Sequence, residues 1–163
     1  MIESLRYILP AYFSNASAVL WGKYYGSRRL DLGRSFRGKP LFGSHKTIEG
    51  FLGAIFTAFA ISVIQRSFFR RPTPIEGFLL GLGAMVGDAF GSFLKRRIGI
   101  APGEPFWIGD QDLFVLFAIL FVYPLFHMPL SWIVFLLVIT PVIHISFNVL
   151  AYKLGLKDVR WRV

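Results

Sequence analysis

The longest stretch of this chain without a charged residue runs from Leu113 to Tyr152 and contains 40 residues. A helix needs about 20 apolar residues to cross the hydrocarbon core of a bilayer, so this stretch is long enough for two crossings. Pro124 and the sequence His127-Met128-Pro129 near its middle favour a turn. We therefore predict two membrane helices joined by a short connection.

Three further charge-poor stretches precede it, namely Tyr7–Gly22, Phe51–Ile64 and Gly77–Leu94, and only the last contains a charged residue, Asp88. With 55% hydrophobic residues and a mean hydropathy of +0.57, the chain is too apolar for an ordinary soluble domain. We expect one domain, residues 1–163, that is all-α and polytopic with about five transmembrane helices.

The basic residues between the apolar stretches predict the orientation. Fourteen of the 18 Lys and Arg residues lie in segments 23–50 and 95–112 and after residue 152, and four lie on the other side. The positive-inside rule then places the N-terminus outside and the two long polar loops in the cytoplasm. A net charge of +9 would suggest nucleic acid for a soluble protein. Basic loops beside membrane spans explain it here, so we expect no nucleic-acid partner.

Asp88 is an acidic residue inside a predicted span. A carboxylate there is costly unless it is paired, metal-bound or hydrated, and such residues usually mark functional sites. Asp88, Ser92 and Lys95 are spaced i, i+4 and i+7, so they share one helix face. That face leads from an acid that could bind metal to a base that could bind phosphate. The alternative is a structural ion pair.

Asp110 and Asp112 open the fourth predicted span, where acids often serve only as helix caps. Three acids at one membrane surface among many cations nevertheless suit Mg²⁺, which binds carboxylates together with substrate phosphate oxygens. We therefore predict Asp88, Asp110 and Asp112 as metal ligands. No His/Cys cluster with zinc spacing occurs, and His127 and His144 are expected to be packing residues.

Two glycine-containing patterns add to this picture. Gly83, Gly87 and Gly91 form overlapping GxxxG steps, which let another helix pack closely. Gly38 to Thr47 reads G-x4-G-x2-K-T, which differs from a P-loop in spacing and follows no predicted strand. Its glycines can still expose backbone N–H groups to phosphate. We favour nucleotide binding by this loop over simple contact with anionic lipid.

Two motifs of the chain carry a family resemblance. They read Gly87-Asp88-x3-Ser92-x2-Lys95-Arg96 and Arg34-x-Phe36-Arg37-Gly38-Lys39-x3-Gly43-x2-Lys46-Thr47-x2-Gly50. Together they resemble the CTP:phosphatidate cytidylyltransferases, also called CDP-diacylglycerol synthases, and in so short a chain they are similar to the archaeal branch, the CDP-archaeol synthases. The two motifs are jointly specific, whereas G-D-x3-S alone is weak.

The resemblance implies a helical membrane enzyme of phospholipid biosynthesis that uses Mg²⁺. It would join CTP to a lipid phosphate, which in the archaeal branch is 2,3-bis-O-geranylgeranylglycerol 1-phosphate, and release pyrophosphate. The family's second acidic site falls on Asp110-Gln111-Asp112, with one residue between the acids instead of two, so Asp110 is the firmer ligand. We assign catalysis to Asp88, Asp110 and Lys95. The expected substrate-binding residues are Asn15, Lys39, Gly43, Lys46, Thr47, Ser92 and Arg96.

Other classes of membrane protein remain as alternatives. A small transporter could use Asp88 as an ion site, but the chain shows no internal repeat and its five spans do not divide into equal halves. The signature of CDP-alcohol phosphotransferases is absent. A non-enzymatic scaffold would leave the three acids unexplained. We expect a multi-pass cell-membrane protein with its site facing the cytoplasm; its partners would be CTP, the lipid phosphate and membrane lipids, with a homodimer left open.

Overall fold

The computed structural model describes residues 1–100 and 109–153, and this part of the chain is mostly helical, as predicted. Each of the first three charge-poor stretches lies within one helix, whereas the last is divided between two helices by a turn at residues 123–129. The helices are α1 (Ile2–Tyr25), α2 (Ile48–Arg66), α3 (Pro74–Arg97), α4 (Gly109–Val122) and α5 (Leu130–Lys153).

Two of the described helices, α2 and α3, are long and apolar enough to cross a membrane by length and composition. Helices α1 and α5 each contain 24 residues, whereas α4 contains 14. At about 1.5 Å per residue, a helix of that greater length reaches across a bilayer core. The number of crossings and the orientation stay predictions from the charge pattern.

Side-chain caps decide where α2 and α3 begin. Thr47 accepts a hydrogen bond from the Gly50 N–H at 3.0 Å and so caps α2. Thr73 and Glu76 form a reciprocal capping box at the start of α3, with distances of 2.7 and 3.3 Å. These caps satisfy backbone N–H groups that a first helical turn leaves unpaired.

Helix α3 packs backbone to backbone against α4. A Cβ atom added to Gly83 or Gly87 would lie 2.4 Å from a carbonyl oxygen of α4, that of Phe117 or that of Leu113. Only glycine allows so close an approach. The prediction of close helix packing along the glycine stripe is therefore confirmed at Gly83 and Gly87. Because Gly83 meets Phe117 and the later Gly87 meets the earlier Leu113, the two helices run antiparallel.

Helix α1 lies against α2, α3 and α5. The Ser14 hydroxyl donates to the Gly81 carbonyl oxygen of α3 at 3.5 Å, and the Tyr12 and Thr140 hydroxyls are hydrogen-bonded at 2.7 Å. The buried residues between the helices are mainly aliphatic and aromatic, among them Ile8, Ala54, Leu80, Phe114 and Leu136. The helices thus form one bundle around this shared core.

A short hairpin interrupts the all-α pattern in the first polar loop. Its strands, β1 (Ser35–Phe36) and β2 (Lys39–Pro40), pair antiparallel. The two residues between them, Arg37 and Gly38, have φ angles of 52° and 74°, which is the backbone of a type I′ turn. The all-α expectation misses this hairpin because two-residue strands carry no detectable alternation of apolar and polar residues.

We expect Gly83→Ala to lower the free energy of unfolding by about 1–3 kcal/mol, because the new Cβ must push α4 away from α3. Alanine is the better helix former, so helix propensity alone predicts the opposite sign. Thermal unfolding in detergent measures the effect. Ala16→Leu, at an exposed position of α1, is the control and should unfold like the wild type. An unchanged melting temperature for Gly83→Ala would contradict the close packing.

Candidate active site

An ion pair between Lys46 and Asp88 lies at the centre of the candidate site. Lys46 ends the first polar loop just before α2, and Asp88 lies in the second half of α3. Their side chains are 31% and 26% exposed, so both are accessible from one side. The structure thus brings together a residue predicted for phosphate and a residue predicted for metal. The positive charge of Lys46 also offsets the free-energy cost of placing the Asp88 carboxylate in an apolar helix.

Gly87 of α3 contacts Leu113 of α4. Their sequence neighbours, Asp88 and Asp112, therefore lie at the same height in the bundle. Its Oδ1 atom is buried and has no hydrogen-bond partner among the described residues. The Asp110 backbone begins α4, but its side chain lies outside the described part of the chain. No group of three acidic, His or Cys side chains forms within the described ranges. The three-acid metal site therefore stays a prediction.

The basic end of α3 meets the first polar loop at Arg96. Arg96 is 6% exposed, and its Nε and Nη1 atoms are buried without hydrogen-bond partners in the described ranges. A Cβ atom on Gly43 would lie 4.0 Å from Arg96 Nε, and Gly43 itself is buried. Buried donors without partners are costly, and a guanidinium suits phosphate oxygens. Two predicted substrate-binding residues therefore lie together.

Other predicted residues lie around this centre. Ser92 is buried on α3 and Lys95 half-buried. Lys39 lies in β2, and its Nζ is 3.7 Å from the position that a Cβ on Gly99 would occupy, beyond the end of α3. Asn15 is half-buried on α1.

Thr47, also predicted to bind substrate, and Ser14, which precedes Asn15 on α1, both have structural contacts. Thr47 accepts the hydrogen bond that caps α2, which leaves its hydroxyl proton free to be donated elsewhere. Ser14 donates its proton to α3. Both contacts help to hold helices next to the site, so any role in binding would be added to a role in packing.

Asp31 organises the first polar loop, a role that was not predicted from the sequence. It is 4% exposed and accepts hydrogen bonds from the Gly33 N–H at 2.9 Å, the Phe42 N–H at 3.5 Å and the Arg29 guanidinium at 3.1 Å. Burial by itself raises the pKa of Asp31, but these hydrogen bonds and the Arg29 charge outweigh it and hold the pKa below its ordinary value. The sequence feature that could have revealed this role is an Asp two residues before a Gly, which is the pattern of an Asx turn.

Backbone hydrogen bonds close the base of the same loop. The Leu30 N–H donates to the Lys46 carbonyl at 2.8 Å, and the Ile48 N–H donates to the Arg28 carbonyl at 2.9 Å. Glu49, in the first turn of α2, accepts from the Ser27 hydroxyl at 2.5 Å. The loop is therefore tied at both ends, which places Lys46 next to Asp88.

Comparisons with known proteins identify the family. A family model described as CarS-like CDP-archaeol synthase matches residues 1–161. The chain belongs to the CDP-archaeol synthase family. The resemblance seen in the two loop motifs is thereby confirmed, and it extends over nearly the whole chain.

Relatives within this family cover almost the full chain. The CDP-archaeol synthase of Pyrococcus furiosus is 42% identical over 99% of this chain and 98% of its own length. That of Methanococcus aeolicus is 39% identical over 99% and 97%. A solved structure, described as an intramembrane enzyme for archaeal membrane lipids biosynthesis, superimposes with a TM-score of 0.82 at 31% identity, covering 91% of this chain and 94% of that one. The helical fold is therefore that of a membrane enzyme.

We expect Asp31→Asn to loosen the first polar loop, because an amide cannot reproduce the charge that pairs with Arg29 and orients two N–H groups. Tryptic cleavage at the loop's basic residues should become several-fold faster at neutral pH. Glu3→Gln, an exposed acid-to-amide change on α1, is the control. Equal cleavage rates in all three proteins would show that Asp31 does not organise the loop.

Acid should have the same effect on the wild type. Since the folded-state pKa of Asp31 lies below the ordinary value of 3.8, its stabilisation is present above that pH and is lost as the pH falls through the folded-state pKa. Cleavage of the loop by pepsin should therefore accelerate on acidification in the wild type and change less in Asp31→Asn. Parallel acid profiles for the two proteins would contradict this linkage.

Proposed function

We propose that this chain transfers CMP from CTP to 2,3-bis-O-geranylgeranylglycerol 1-phosphate, giving CDP-archaeol and pyrophosphate in membrane lipid biosynthesis. The observation that carries the proposal is the match to the CDP-archaeol synthase family over residues 1–161. The site geometry supports it, since a loop lysine, Lys46, pairs with the Asp88 carboxylate and Arg96 of the same helix keeps buried donors without partners in the described ranges. The transporter alternative gains no comparable support.

The reaction requires alignment and charge neutralisation rather than a general base. An oxygen of the lipid phosphate, already anionic near neutral pH, attacks the α-phosphorus of CTP. A new P–O bond forms, and the bond between the α-phosphorus and its bridging oxygen breaks, so pyrophosphate leaves with the electron pair. We assign Arg96 and Lys95 to the phosphates from α3, and Lys39, Gly43, Lys46 and Thr47 from the loop.

The residues present fit a magnesium ion. Asp88 is accessible, and Asp112 has a buried carboxylate oxygen without a partner in the described ranges. Asp88, Asp112 and Asp110 would hold the ion together with phosphate oxygens, the ligand set that Mg²⁺ prefers. When bound, the ion would neutralise phosphate charge and orient CTP. The chain's own part is to place these carboxylates and to supply cations for the phosphates.

The proposed arrangement in the membrane follows from the charge pattern. Five helices cross the bilayer, the N-terminus lies outside, and the first polar loop faces the cytoplasm, where CTP is dissolved. Lys46 and Arg96 then lie at the cytoplasmic surface. Labelling of single introduced cysteines from either side of sealed vesicles tests this, since the chain has no cysteine of its own. A homodimer remains an open prediction.

An apolar cavity between α2, α3 and the first polar loop suits the lipid part of the substrate. It measures about 380 Å³ and is lined mainly by aromatic and aliphatic groups, including Phe42 of the loop, Phe51 of α2, and Ala89 and Phe90 of α3. Its walls join the second half of α3 to the loop that carries Lys46. We assign it to the chain carbons nearest the lipid phosphate.

We expect Ala89→Phe, which narrows this cavity, to raise the KM for the lipid phosphate several-fold while leaving the KM for CTP nearly unchanged. Ala16→Leu on the exposed face of α1 serves as the control for added bulk. Steady-state kinetics in mixed micelles separate the two constants. An equal rise in both, or none, would place the lipid elsewhere.

The first assay of the whole proposal uses purified protein with Mg²⁺, radiolabelled CTP and a phosphorylated dialkylglycerol. Label should enter the lipid phase with a matching release of pyrophosphate. Replacing CTP with ATP, GTP or UTP tests the base. A folded protein that transfers no label would refute the cytidylyltransferase and return Asp88 to an ion site or a structural pair.

The Mg²⁺ dependence separates a metal role of Asp88 from a purely structural ion pair. Asp88→Asn should lower kcat by about 10³-fold or more, because it removes a charged ligand of the ion that would neutralise the reacting phosphates. Asp88→Glu keeps a carboxylate, so it should retain part of the activity but need more Mg²⁺ for half-maximal turnover. If Asp88 served only to pair with Lys46, Asp88→Glu and the wild type would need the same Mg²⁺ concentration.

A further inference from the structure

Arg97 ends α3 one residue after Arg96, and the chain itself uses most of its donors. Its Nη1 donates to the Phe36 carbonyl at 2.7 Å. Its Nη2 donates to the carbonyls of Pro40 at 2.6 Å and Lys39 at 3.2 Å. One guanidinium therefore bridges β1 and β2 of the loop hairpin and fastens them to the end of α3.

Two aromatic rings pack around the same guanidinium. The Arg97 Cζ atom lies 4.8 Å from the centroid of the Phe93 ring and 5.5 Å from that of the Phe36 ring. The two ring centroids are 6.4 Å apart. One ring belongs to α3 and the other to the hairpin, so cation–π contacts join the same two elements as the hydrogen bonds. A planar guanidinium fits such a site, whereas an ammonium could not make three bonds in that geometry.

We propose that Arg97 is a positioning residue, which holds the hairpin against α3 so that the loop is already ordered when CTP arrives. The inference rests on the proposed function. The adjacent arginines then have different tasks, since Arg96 keeps buried donors for an anion, whereas Arg97 uses its Nη1 and Nη2 donors on backbone carbonyls.

The consequence falls on CTP binding rather than on the chemical step. The hairpin carries Lys39 and leads to Gly43 and Lys46, so a loose hairpin must be ordered when nucleotide binds. That ordering costs binding free energy, which a preformed loop avoids. The lipid would still bind in the cavity along α3, and Asp88 would be unchanged.

The test combines kinetics with the mobility of the loop. A spin label on Ser44→Cys, an exposed loop position in a chain without cysteine, reports loop motion in the full-length protein without any substrate.

Arg97→Ala should increase label mobility and raise the KM for CTP about tenfold, with kcat at saturation changed less than about threefold. The KM for the lipid phosphate should rise less than the KM for CTP, since most of the residues that line the lipid cavity belong to α2 and α3. Arg97→Lys should fail to rescue, and Arg28→Ala, which removes an exposed charge from the same loop, should behave like the wild type.

Each outcome decides the proposal. Unchanged mobility and KM in Arg97→Ala would overturn it, and so would a fall in kcat with an immobile label, which would make Arg97 a direct ligand of the reacting phosphates. Rescue by Arg97→Lys would reduce its role to charge alone. Should Arg97→Ala fail to fold, Phe36→Ala removes one ring from a position that is 48% exposed, and the same two readouts apply. A wild type without CTP turnover would refute the proposed function, while label mobility would still test the contact.

Discussion

The pairing of Lys46 with Asp88 is the interaction on which the site depends. A carboxylate in the apolar part of α3 must be compensated, and a cation from the first polar loop supplies this. The pairing joins an aqueous loop to the helical bundle at one point. A water-soluble nucleotide and a lipid headgroup can meet only at such a boundary, which is why the candidate site lies where loop and bundle touch.

Around that point, the loop is ordered by contacts that bind no substrate. Asp31 gathers N–H groups inside the loop, Thr47 and Glu49 join its end to α2, and Arg97 joins its hairpin to α3. The cations that we propose for phosphate are thereby held in place before any anion arrives. Such preorganisation is the main means by which a protein can accelerate phosphoryl transfer, since the reaction needs little covalent participation from side chains.

The fold was predictable from the sequence to the extent that apolar length and glycine spacing determine it. The charge-poor stretches correspond to α1 through α5, and the spacing of Gly83 and Gly87 anticipated the contact with α4. The hairpin was missed because its strands are two residues long. Arg97 looked like one more basic flanking residue, because nothing in the local sequence reveals that its partners are carbonyls about 60 residues earlier.

The sequence by itself determined that the chain forms apolar helices and that an acid interrupts one of them, since both follow from composition and local spacing. Its two loop motifs also carried the resemblance to the CDP-archaeol synthase family. The tertiary structure decided what each cation meets, for example that Lys46 faces Asp88, that Arg97 binds the hairpin carbonyls, and that Arg96 keeps buried donors without partners in the described ranges. The physical reason is that these contacts depend on how α3 is rotated and how the loop folds back over it, and helix periodicity alone specifies neither.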